Sequence, residues 1–326
     1  MRIVFHGANA ASFSEGFAEA VGGTAEVVLL RDALESEADR AAYAGAGAIV
    51  GVRYGADLPR PDGLRLFHVP GAGTDGVDLD ALPPGATVCN CFGHEQAIAE
   101  YVMAALLRRH IPLGPADRDL REGRWTYWAG APERAHGEIA GTTIGLLGFG
   151  HIGRAIAARA KAFEMEVVVA NRSPVPVSPL VDRSFGLDAL PAFFAAADAY
   201  VVSLPRLPET AGIVGHAAFA AMRPHAVLVN VGRGPTVDER ALFEALEGRR
   251  IGGAAIDTWY NYPSAATALA KPSALPFETL PNVLMTPHMS GWTDGTIRRR
   301  RALMADNVRR VMAGRDCLNV VRPPAG

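Results

Sequence analysis

The sequence predicts an α/β protein built from two Rossmann-like domains, each with a doubly wound parallel sheet. Short apolar segments alternate with segments of helical periodicity along nearly the whole chain. Residues 142–173 join an apolar strand, a glycine-punctuated turn, a helix and a second apolar strand. The length of 326 residues is enough for two domains, and a hydrophobic content of 49% can fill two cores.

Composition limits the function classes. The formal charge of −2 gives no support for nucleic acid or an anionic membrane as the main partner, so a small-molecule ligand is expected. No apolar run reaches the roughly eighteen residues of a membrane helix, and the first residues lack the apolar core of a signal peptide, which predicts a cytoplasmic protein. Cys89 and Cys91 form a C-x-C pair without a matching pair elsewhere, and Cys317 stands alone. We therefore expect reduced thiols and no metal site.

The first 94 residues predict an α/β unit of their own. A helix is expected around residues 14–21, and the unit has no glycine fingerprint, so it is not expected to bind the nucleotide. Residues 94–111 follow as a long amphipathic helix, of a kind that bridges domains or packs against a second subunit. The predicted strands are residues 1–5, 25–30, 47–52, 64–69 and 86–89.

Gly148, Gly150 and Gly153 form a G-x-G-x-x-G fingerprint. The three glycines suit a tight turn, a close approach of backbone to a pyrophosphate, and close packing of helix on strand. The spacing alone is weak evidence, but here it follows an apolar strand and precedes a helix that begins near His151. The free N–H groups and the dipole of that helix would face the anion.

The alternation continues to the end of the fingerprint domain and predicts a six-stranded sheet within residues 95–289. Residues 294–313 predict a last helix that returns the chain to the first unit. We therefore expect a dinucleotide-binding domain over residues 95–289 and a discontinuous substrate domain over residues 1–94 and 290–326, with a ligand in the cleft between them. The later predicted strands are residues 144–147, 167–169, 199–204, 226–231, 253–257 and 283–286.

Three segments place chemically useful side chains just beyond the ends of predicted strands. They offer Arg233 between two glycines, Asp257 before an aromatic pair, and His288 after a proline. Open α/β sheets build their sites at this end of the strands.

These segments resemble the D-isomer-specific 2-hydroxyacid dehydrogenases. The resemblance includes N-x-x-R-G-x-x-V-D-E at residues 230–239, T-P-H-x-S at 286–290, S-L-P-x-L-P-E-T at 203–210, G-x-G-x-D-G-V-D-L at 71–79, and A-E at 99–100. The motifs at residues 230–239 and 286–290 follow the fingerprint in the family's order, and the resemblance covers nearly the whole chain.

The resemblance implies a role for each of the three residues. Arg233 would hold the substrate carboxylate and polarise the 2-oxo group, and His288 would be the general acid in reduction and the general base in oxidation. Asp257 would orient the nicotinamide carboxamide. The other implied substrate contacts are Val52, Arg53, Tyr54, Gly73, His94 and Ser290. The other implied cofactor contacts are Phe149, His151, Ile152, Leu204, Pro205, Thr210, Val231, Gly232 and Gly291.

Two positions depart from the family pattern. Tyr262 stands where the family usually has the glutamate that pairs with the catalytic histidine, and we expect it at the catalytic site. A hydroxyl does not favour imidazolium as a carboxylate does, so His288 should titrate lower and reduction should fall as the pH rises through about 6–7. His94 stands where the family often has an asparagine that contacts the substrate. The segment around Tyr262 resembles formate dehydrogenases, whereas His94 argues against that assignment.

Coenzyme choice depends on the residues at the end of the second strand within residues 142–173, about twenty residues beyond the fingerprint. NAD enzymes place an acidic residue there to bind the ribose 2′-hydroxyl. This chain has Asn171, Arg172 and Ser173, which favours NADP(H), with NAD possible as a second coenzyme.

The sequence thus predicts an NADP-preferring reductase of small 2-oxo acids of the glyoxylate or hydroxypyruvate type. Alternatives are an NAD(P)-dependent dehydrogenase of another small anion, such as formate or phosphite, and a dinucleotide-binding regulatory protein. The resemblance further implies a homodimer.

Overall fold

The structure is a computed structural model and describes residues 1–23, 25–130, 132–263 and 269–324. The chain divides into two compact units. Unit 1 combines Met1–His94 with Thr293–Gly326, and unit 2 is Glu95–Trp292. His288, Ser290 and Gly291 therefore lie in unit 2.

Strands and helices alternate, as the sequence predicts. The strands are β1 (Arg2–His6), β2 (Glu26–Leu30), β3 (Ala48–Gly51), β4 (Leu66–His68), β5 (Thr87–Cys89), β6 (Thr143–Leu147), β7 (Glu166–Ala170), β8 (Arg183–Phe185), β9 (Ala199–Val202), β10 (Val227–Asn230), β11 (Gly253–Ile256), β12 (Val283–Met285) and β13 (Val320–Arg322). The helices are α1 (Ala8–Ala11), α2 (Phe17–Ala20), α3 (Glu37–Ala44), α4 (Glu95–His110), α5 (Leu113–Arg121), α6 (His151–Ala162), α7 (Leu190–Phe194), α8 (His216–Ala221), α9 (Glu239–Glu247) and α10 (Asp294–Met312).

Unit 1 contains a sheet in the order β13-β5-β4-β3-β1-β2. Its neighbouring strands are parallel except β13, which pairs antiparallel with β5. The helix predicted around residues 14–21 corresponds to the shorter α2, and α1 is a further short helix that the sequence does not predict. Gly16, with a φ of +66°, directly precedes α2, and its left-handed backbone keeps this right-handed helix from beginning before Phe17.

Helix α10 is tied to this sheet by a buried polar cluster. Asn307 is fully buried, and its side-chain oxygen accepts the N–H of Leu318 at 2.7 Å, which fixes the orientation of the side-chain amide. Its amide nitrogen donates to Nε2 of the fully buried His68 at 2.9 Å. Nε2 of His68 is therefore an unprotonated acceptor, and burial lowers the pKa of His68 from 6.5 to about 4.

Unit 2 contains a parallel sheet in the order β12-β11-β10-β9-β6-β7-β8. The residues of β6 and β9 are buried, since apolar clusters cover both faces of the sheet. This sheet has seven strands, one more than the six that the sequence predicts. Strand β8 has only three residues and two of them are exposed, so no apolar run marks it in the sequence.

The predicted α/β architecture with two parallel-dominant sheets is confirmed. Within the described ranges, no helix is both long and apolar enough to cross a bilayer.

Candidate active site

The residues predicted to carry chemistry in unit 2 follow the carboxyl ends of six neighbouring strands. This edge is where parallel sheets bind ligands, and the strand order changes direction beside β6. In sheet order they are His288 after β12, Asp257 after β11, Arg233 after β10, Leu204 after β9, Gly148 after β6 and Asn171 after β7.

The glycine turn after β6 has the three properties that the fingerprint requires. Gly148 has a φ of +98°, which a residue with a side chain rarely adopts. A Cβ on Gly150 would meet nothing within 4 Å, so this side of the turn is open. A Cβ on Gly153 would lie 2.4 Å from the Gly148 carbonyl oxygen, so only glycine lets α6 pack against the turn.

The turn leads directly into the amino terminus of α6. This helix has twelve residues, begins at His151 and is preceded by Gly150, which has no side chain that could cap it. The half-buried Ile152 follows. A helix terminus that is preceded by glycine and lies beside an open glycine turn fits the pyrophosphate of a dinucleotide.

Asn171 joins the end of β7 to this turn. Its side-chain oxygen accepts the Phe149 N–H at 3.2 Å, and its amide nitrogen donates to the Ser173 carbonyl at 2.9 Å. Arg172 is exposed, and its guanidinium lies 3.7 Å from the Glu209 carboxylate. The end of β7 therefore combines a neutral amide with an exposed cation.

Tight packing connects the turn to the neighbouring strand ends. A Cβ on Gly232 would lie 2.7 Å from the Leu204 carbonyl oxygen, so the residue after the buried Val231 can only be small. The Thr210 hydroxyl accepts the Leu207 N–H at 2.9 Å and donates to the Pro205 carbonyl at 2.7 Å. Thr210, predicted as a cofactor contact, thus closes the loop after β9.

Asp257 anchors the loop that carries His288. Its carboxylate is fully buried and accepts the Thr286 hydroxyl at 2.6 Å, the Met289 N–H at 2.9 Å and the Ser290 N–H at 3.0 Å. Between these contacts His288 has a φ of +56°, an uncommon left-handed backbone for a histidine. Ser290, predicted to bind substrate, is buried and uses its N–H here, and Gly291 follows it.

Tyr101 and Trp259 complete this network, and neither is among the site residues predicted from the sequence. The Thr286 hydroxyl gives its one proton to Asp257, so the Tyr101 hydroxyl is the donor in its 2.7 Å bond to Thr286. The Trp259 ring N–H donates to the Thr286 carbonyl at 2.8 Å. Trp259 and Thr286 lie inside the motifs that contain Asp257 and His288, whereas nothing in the pattern of α4 distinguishes Tyr101.

Tyr262 contacts the His288 ring. Its hydroxyl lies 3.0 Å from Nδ1 of His288 and accepts the Trp259 backbone N–H at 3.1 Å. Partial desolvation lowers the pKa of His288, the Asp257 charge raises it and the Arg233 charge lowers it, with a net lowering. Desolvation raises the pKa of Tyr262, so the residue stays a neutral hydroxyl.

Arg233 belongs to a loop pressed against Trp259. A Cβ on Gly234 would lie 2.2 Å from the Trp259 carbonyl oxygen, so this approach requires glycine. The Arg233 carbonyl accepts the Thr236 hydroxyl at 2.6 Å, which fixes the backbone that presents the guanidinium. The Arg233 charge acts to lower the pKa of both His288 and Tyr262, although desolvation outweighs it at Tyr262. Unit 2 therefore holds a cation, an imidazole and a phenol close together.

The predicted substrate contacts of unit 1 have varied surroundings. Val52 is exposed, and Arg53 pairs with Asp57. Tyr54 is buried, packs edge-on against Phe67 and donates its N–H to the Gly76 carbonyl at 3.1 Å, so that N–H is already used within unit 1. Gly73 lies between β4 and β5, and the half-buried His94 is the last residue before α4.

Comparison with known proteins agrees with this geometry. Residues 101–290 match the family model of the D-isomer specific 2-hydroxyacid dehydrogenase, NAD binding domain. D-3-phosphoglycerate dehydrogenase of Mycobacterium bovis is 34% identical over 266 residues, which are 79% of this chain and 47% of that protein. The chain thus spans about half the length of the curated relatives it matches.

Several solved structures match nearly the whole chain. A 2-hydroxyacid dehydrogenase from Ketogulonicigenium vulgare has a TM-score of 0.81 and 26% identity and covers 99% of both chains. An NADPH-dependent glyoxylate/hydroxypyruvate reductase from Sinorhizobium meliloti, in complex with NADP and malonate, has a TM-score of 0.77 and 27% identity and covers 99% of this chain and 97% of its own. With the motifs and the site geometry, these matches establish that the chain belongs to the D-isomer specific 2-hydroxyacid dehydrogenase family.

Proposed function

We propose that the protein is a nicotinamide-dependent 2-hydroxyacid dehydrogenase that reduces small 2-oxo acids of the glyoxylate or hydroxypyruvate type, with NADPH as the preferred coenzyme. The observation that carries the proposal is the Asp257-anchored loop, which holds His288 against Tyr262 beside the charge of Arg233. The bound coenzyme supplies the hydride.

Arg233 and His288 divide the work on the substrate. The planar guanidinium of Arg233 pairs with the substrate carboxylate and withdraws charge from the adjacent 2-oxo group. His288 donates a proton to the oxygen of that group during reduction and takes it back in the reverse direction. Tyr262 supports the ring at Nδ1, which leaves Nε2 for the substrate.

Asp257 and the glycine turn position the reaction partners. The three hydrogen bonds of Asp257 fix the loop conformation at His288, so we assign to Asp257 a positioning role in addition to the cofactor contact that the sequence analysis predicts. The glycine turn and the start of α6 hold the pyrophosphate. Substrate contacts from residues 52–54, Gly73 and His94 stay predictions.

The preference for NADPH rests on the end of β7. Asn171 and Arg172 provide an amide and an exposed cation where NAD enzymes have an acid. The Sinorhizobium meliloti reductase, which was solved with NADP, supports the same choice.

The test is NADPH consumption by the purified protein with a panel of 2-oxo acids, repeated with His288→Asn and Arg233→Ala. We expect activity with glyoxylate or hydroxypyruvate and a loss of about a hundredfold or more in either variant. Reduction requires the protonated ring, and the pKa of His288 is lowered from the ordinary value of 6.5, so the rate should fall as the pH rises and should already be declining below that value. A rate that is flat between about pH 5.5 and 8.5, or a lower KM for NADH than for NADPH, would contradict the corresponding part of the proposal.

We also propose that the protein is a homodimer. The apolar face of α4 is buried within unit 2, whereas α5 has no buried residue. Leu113, Leu120, Trp125 and Trp128 expose 52–72% of their surface on α5 and the segment that follows it. A surface of this kind suits a second copy of the chain. Sedimentation velocity should show a dimer that Leu120→Asp converts to a monomer, and a monomeric wild type would contradict this.

A further inference from the structure

In the part of the chain that the structure describes, the His288 ring is hydrogen-bonded to a hydroxyl and to no carboxylate. Among the described residues, the hydrogen-bond partner of Nδ1 is the Tyr262 hydroxyl at 3.0 Å. Asp257 is the acid whose charge acts on the ring, but its carboxylate already accepts three hydrogen bonds from residues 286–290. The ring therefore experiences the charges of Asp257 and Arg233 and contacts the hydroxyl of Tyr262.

A hydroxyl and a carboxylate affect an imidazole differently. A carboxylate can only accept, so it fixes a proton on Nδ1 and stabilises the imidazolium. A hydroxyl also donates, and it brings no negative charge as long as it stays protonated. Burial raises the pKa of Tyr262, while the pKa of His288 is lowered below its ordinary value of 6.5, so at neutral and alkaline pH both rings are neutral.

Neutral His288 is a poor proton donor but a good hydrogen-bond acceptor. With a proton on Nδ1 directed at the Tyr262 oxygen, the lone pair of Nε2 is left for the substrate. Reduction of a 2-oxo acid needs a proton at the carbonyl oxygen, which neutral imidazole does not readily supply. A protonated 2-imino acid carries its proton on the nitrogen already, and its N–H groups match an acceptor.

We propose that this site also reduces protonated 2-imino acids, which form in solution from a 2-oxo acid and ammonium, to 2-amino acids. The proposal rests on the proposed function, because the reductant is again the reduced nicotinamide and Arg233 again binds the carboxylate. The substrate is a zwitterion, which suits one cationic arginine and one neutral histidine.

The reaction balances without a proton from the protein. Ammonium and the 2-oxo acid lose one water to give the iminium. Its C2 accepts a hydride with two electrons, a C–H bond forms, and the C=N π pair becomes a lone pair on nitrogen. The amine then takes one proton from water. The sum is 2-oxo acid, ammonium, NADPH and one proton giving amino acid, NADP⁺ and water.

The experiment uses the full chain with NADPH and glyoxylate, with ammonium chloride or potassium chloride at equal ionic strength, at about pH 6 and about pH 9. NADPH absorbance gives the rate, and mass spectrometry separates glycine from glycolate. At the lower pH we expect glycolate. At the higher pH we expect ammonium to raise the rate by about tenfold or more and glycine to be the main product.

The two proposals fail in different ways. Glycolate formation at pH 6 together with no ammonium-dependent rate and no glycine at pH 9 overturns imine reduction but leaves the proposed function intact. No NADPH consumption with any 2-oxo acid at pH 6 overturns the proposed function and this inference with it.

Tyr262→Glu is the matched variant, because it supplies the carboxylate that the site lacks. We expect it to increase 2-oxo acid reduction at pH 9 and to lower the ratio of glycine to glycolate about fivefold or more. Proton–carbon NMR of His288 in the free protein, assigned with His288→Gln, gives a readout independent of turnover. The midpoint should lie below 6.5 in the wild type and rise in Tyr262→Glu. A wild-type midpoint at or above about 7 overturns the inference.

Discussion

The first strand of each unit ends in a turn of nearly the same geometry. Gly7 follows β1 with a φ of +89°, and Gly148 follows β6 with a φ of +98°. Each glycine donates its N–H to the last residue of the neighbouring strand, Leu30 or Ala170, at 2.9 Å. In each turn, the residue after the glycine donates its N–H to a side chain that follows the neighbouring strand. Ala8 donates to the Asp32 carboxylate at 3.3 Å in unit 1, and Phe149 donates to the Asn171 side-chain oxygen at 3.2 Å in unit 2.

The two turns differ in charge and in the helix that follows. Unit 1 places a carboxylate at the turn and continues into the four-residue α1. Unit 2 places a neutral amide there and continues into the twelve-residue α6. A carboxylate repels a phosphate, and a four-residue helix has a small dipole. Turn geometry alone therefore does not make a dinucleotide site.

The largest expected effect is at Gly153. A side chain there must displace the Gly148 carbonyl, so Gly153→Val should destabilise unit 2 by about 3 kcal/mol or more and abolish NADPH binding. Urea unfolding and fluorescence titration with NADPH measure the two effects. Gly150→Ala is the control, since its Cβ meets nothing; it should keep the wild-type stability and lose NADPH affinity. Normal NADPH binding by Gly153→Val would exclude this packing.

The next largest effect is a loss of stability at acidic pH caused by His68 in unit 1. The pKa of His68 in unit 1 is lowered from 6.5 to about 4, so the unfolded chain binds the proton more readily than the folded one. Stability should therefore fall as the pH drops from 6.5 to about 4, by about 3 kcal/mol in total. The measurement is the free energy of unfolding in urea at several pH values, compared with His68→Gln. Equal pH dependence in both proteins would show that His68 is not responsible.

Asn171→Asp gives unit 2 the carboxylate that unit 1 has at Asp32. We expect NADPH affinity to fall by about thirtyfold, close to 2 kcal/mol, because the new charge opposes the 2′-phosphate. NADH affinity should change much less. Asp32→Asn is the control and should leave both affinities unchanged. Equal losses for the two coenzymes in Asn171→Asp would mean that residue 171 does not face the 2′ position.

The smallest effect is expected at Glu209, which lies 3.7 Å from Arg172. Glu209→Gln removes a competitor for Arg172 and should strengthen NADPH binding by about two- to fourfold at low salt, with no change for NADH. The gain should disappear in an Arg172→Ala background. Glu278→Gln, which breaks the exposed pair with Lys271, is the control. A gain that persists without Arg172 would contradict the mechanism.

Much of the fold could be predicted because its signals are local. Largely buried parallel strands such as β6 and β7 contain apolar runs, and the glycine fingerprint lies between them. Strand β8 is not predicted because it is short and largely exposed, and the four-residue α1 is not predicted because it is too short to show helical periodicity. The candidate catalytic residues could be named because they follow strand ends within recognisable motifs.

The sequence alone therefore determined the family motifs, the α/β class and the identities of Arg233, Tyr262, Asp257 and His288, since each depends on neighbours in the chain. The tertiary structure decided how they are used. Tyr101 is 185 residues from Thr286, and Asp257 bonds residues about thirty positions away. Hydrogen bonds over such separations exist only once the strands pair, because the paired sheet brings the carboxyl ends of β11 and β12 to the same edge.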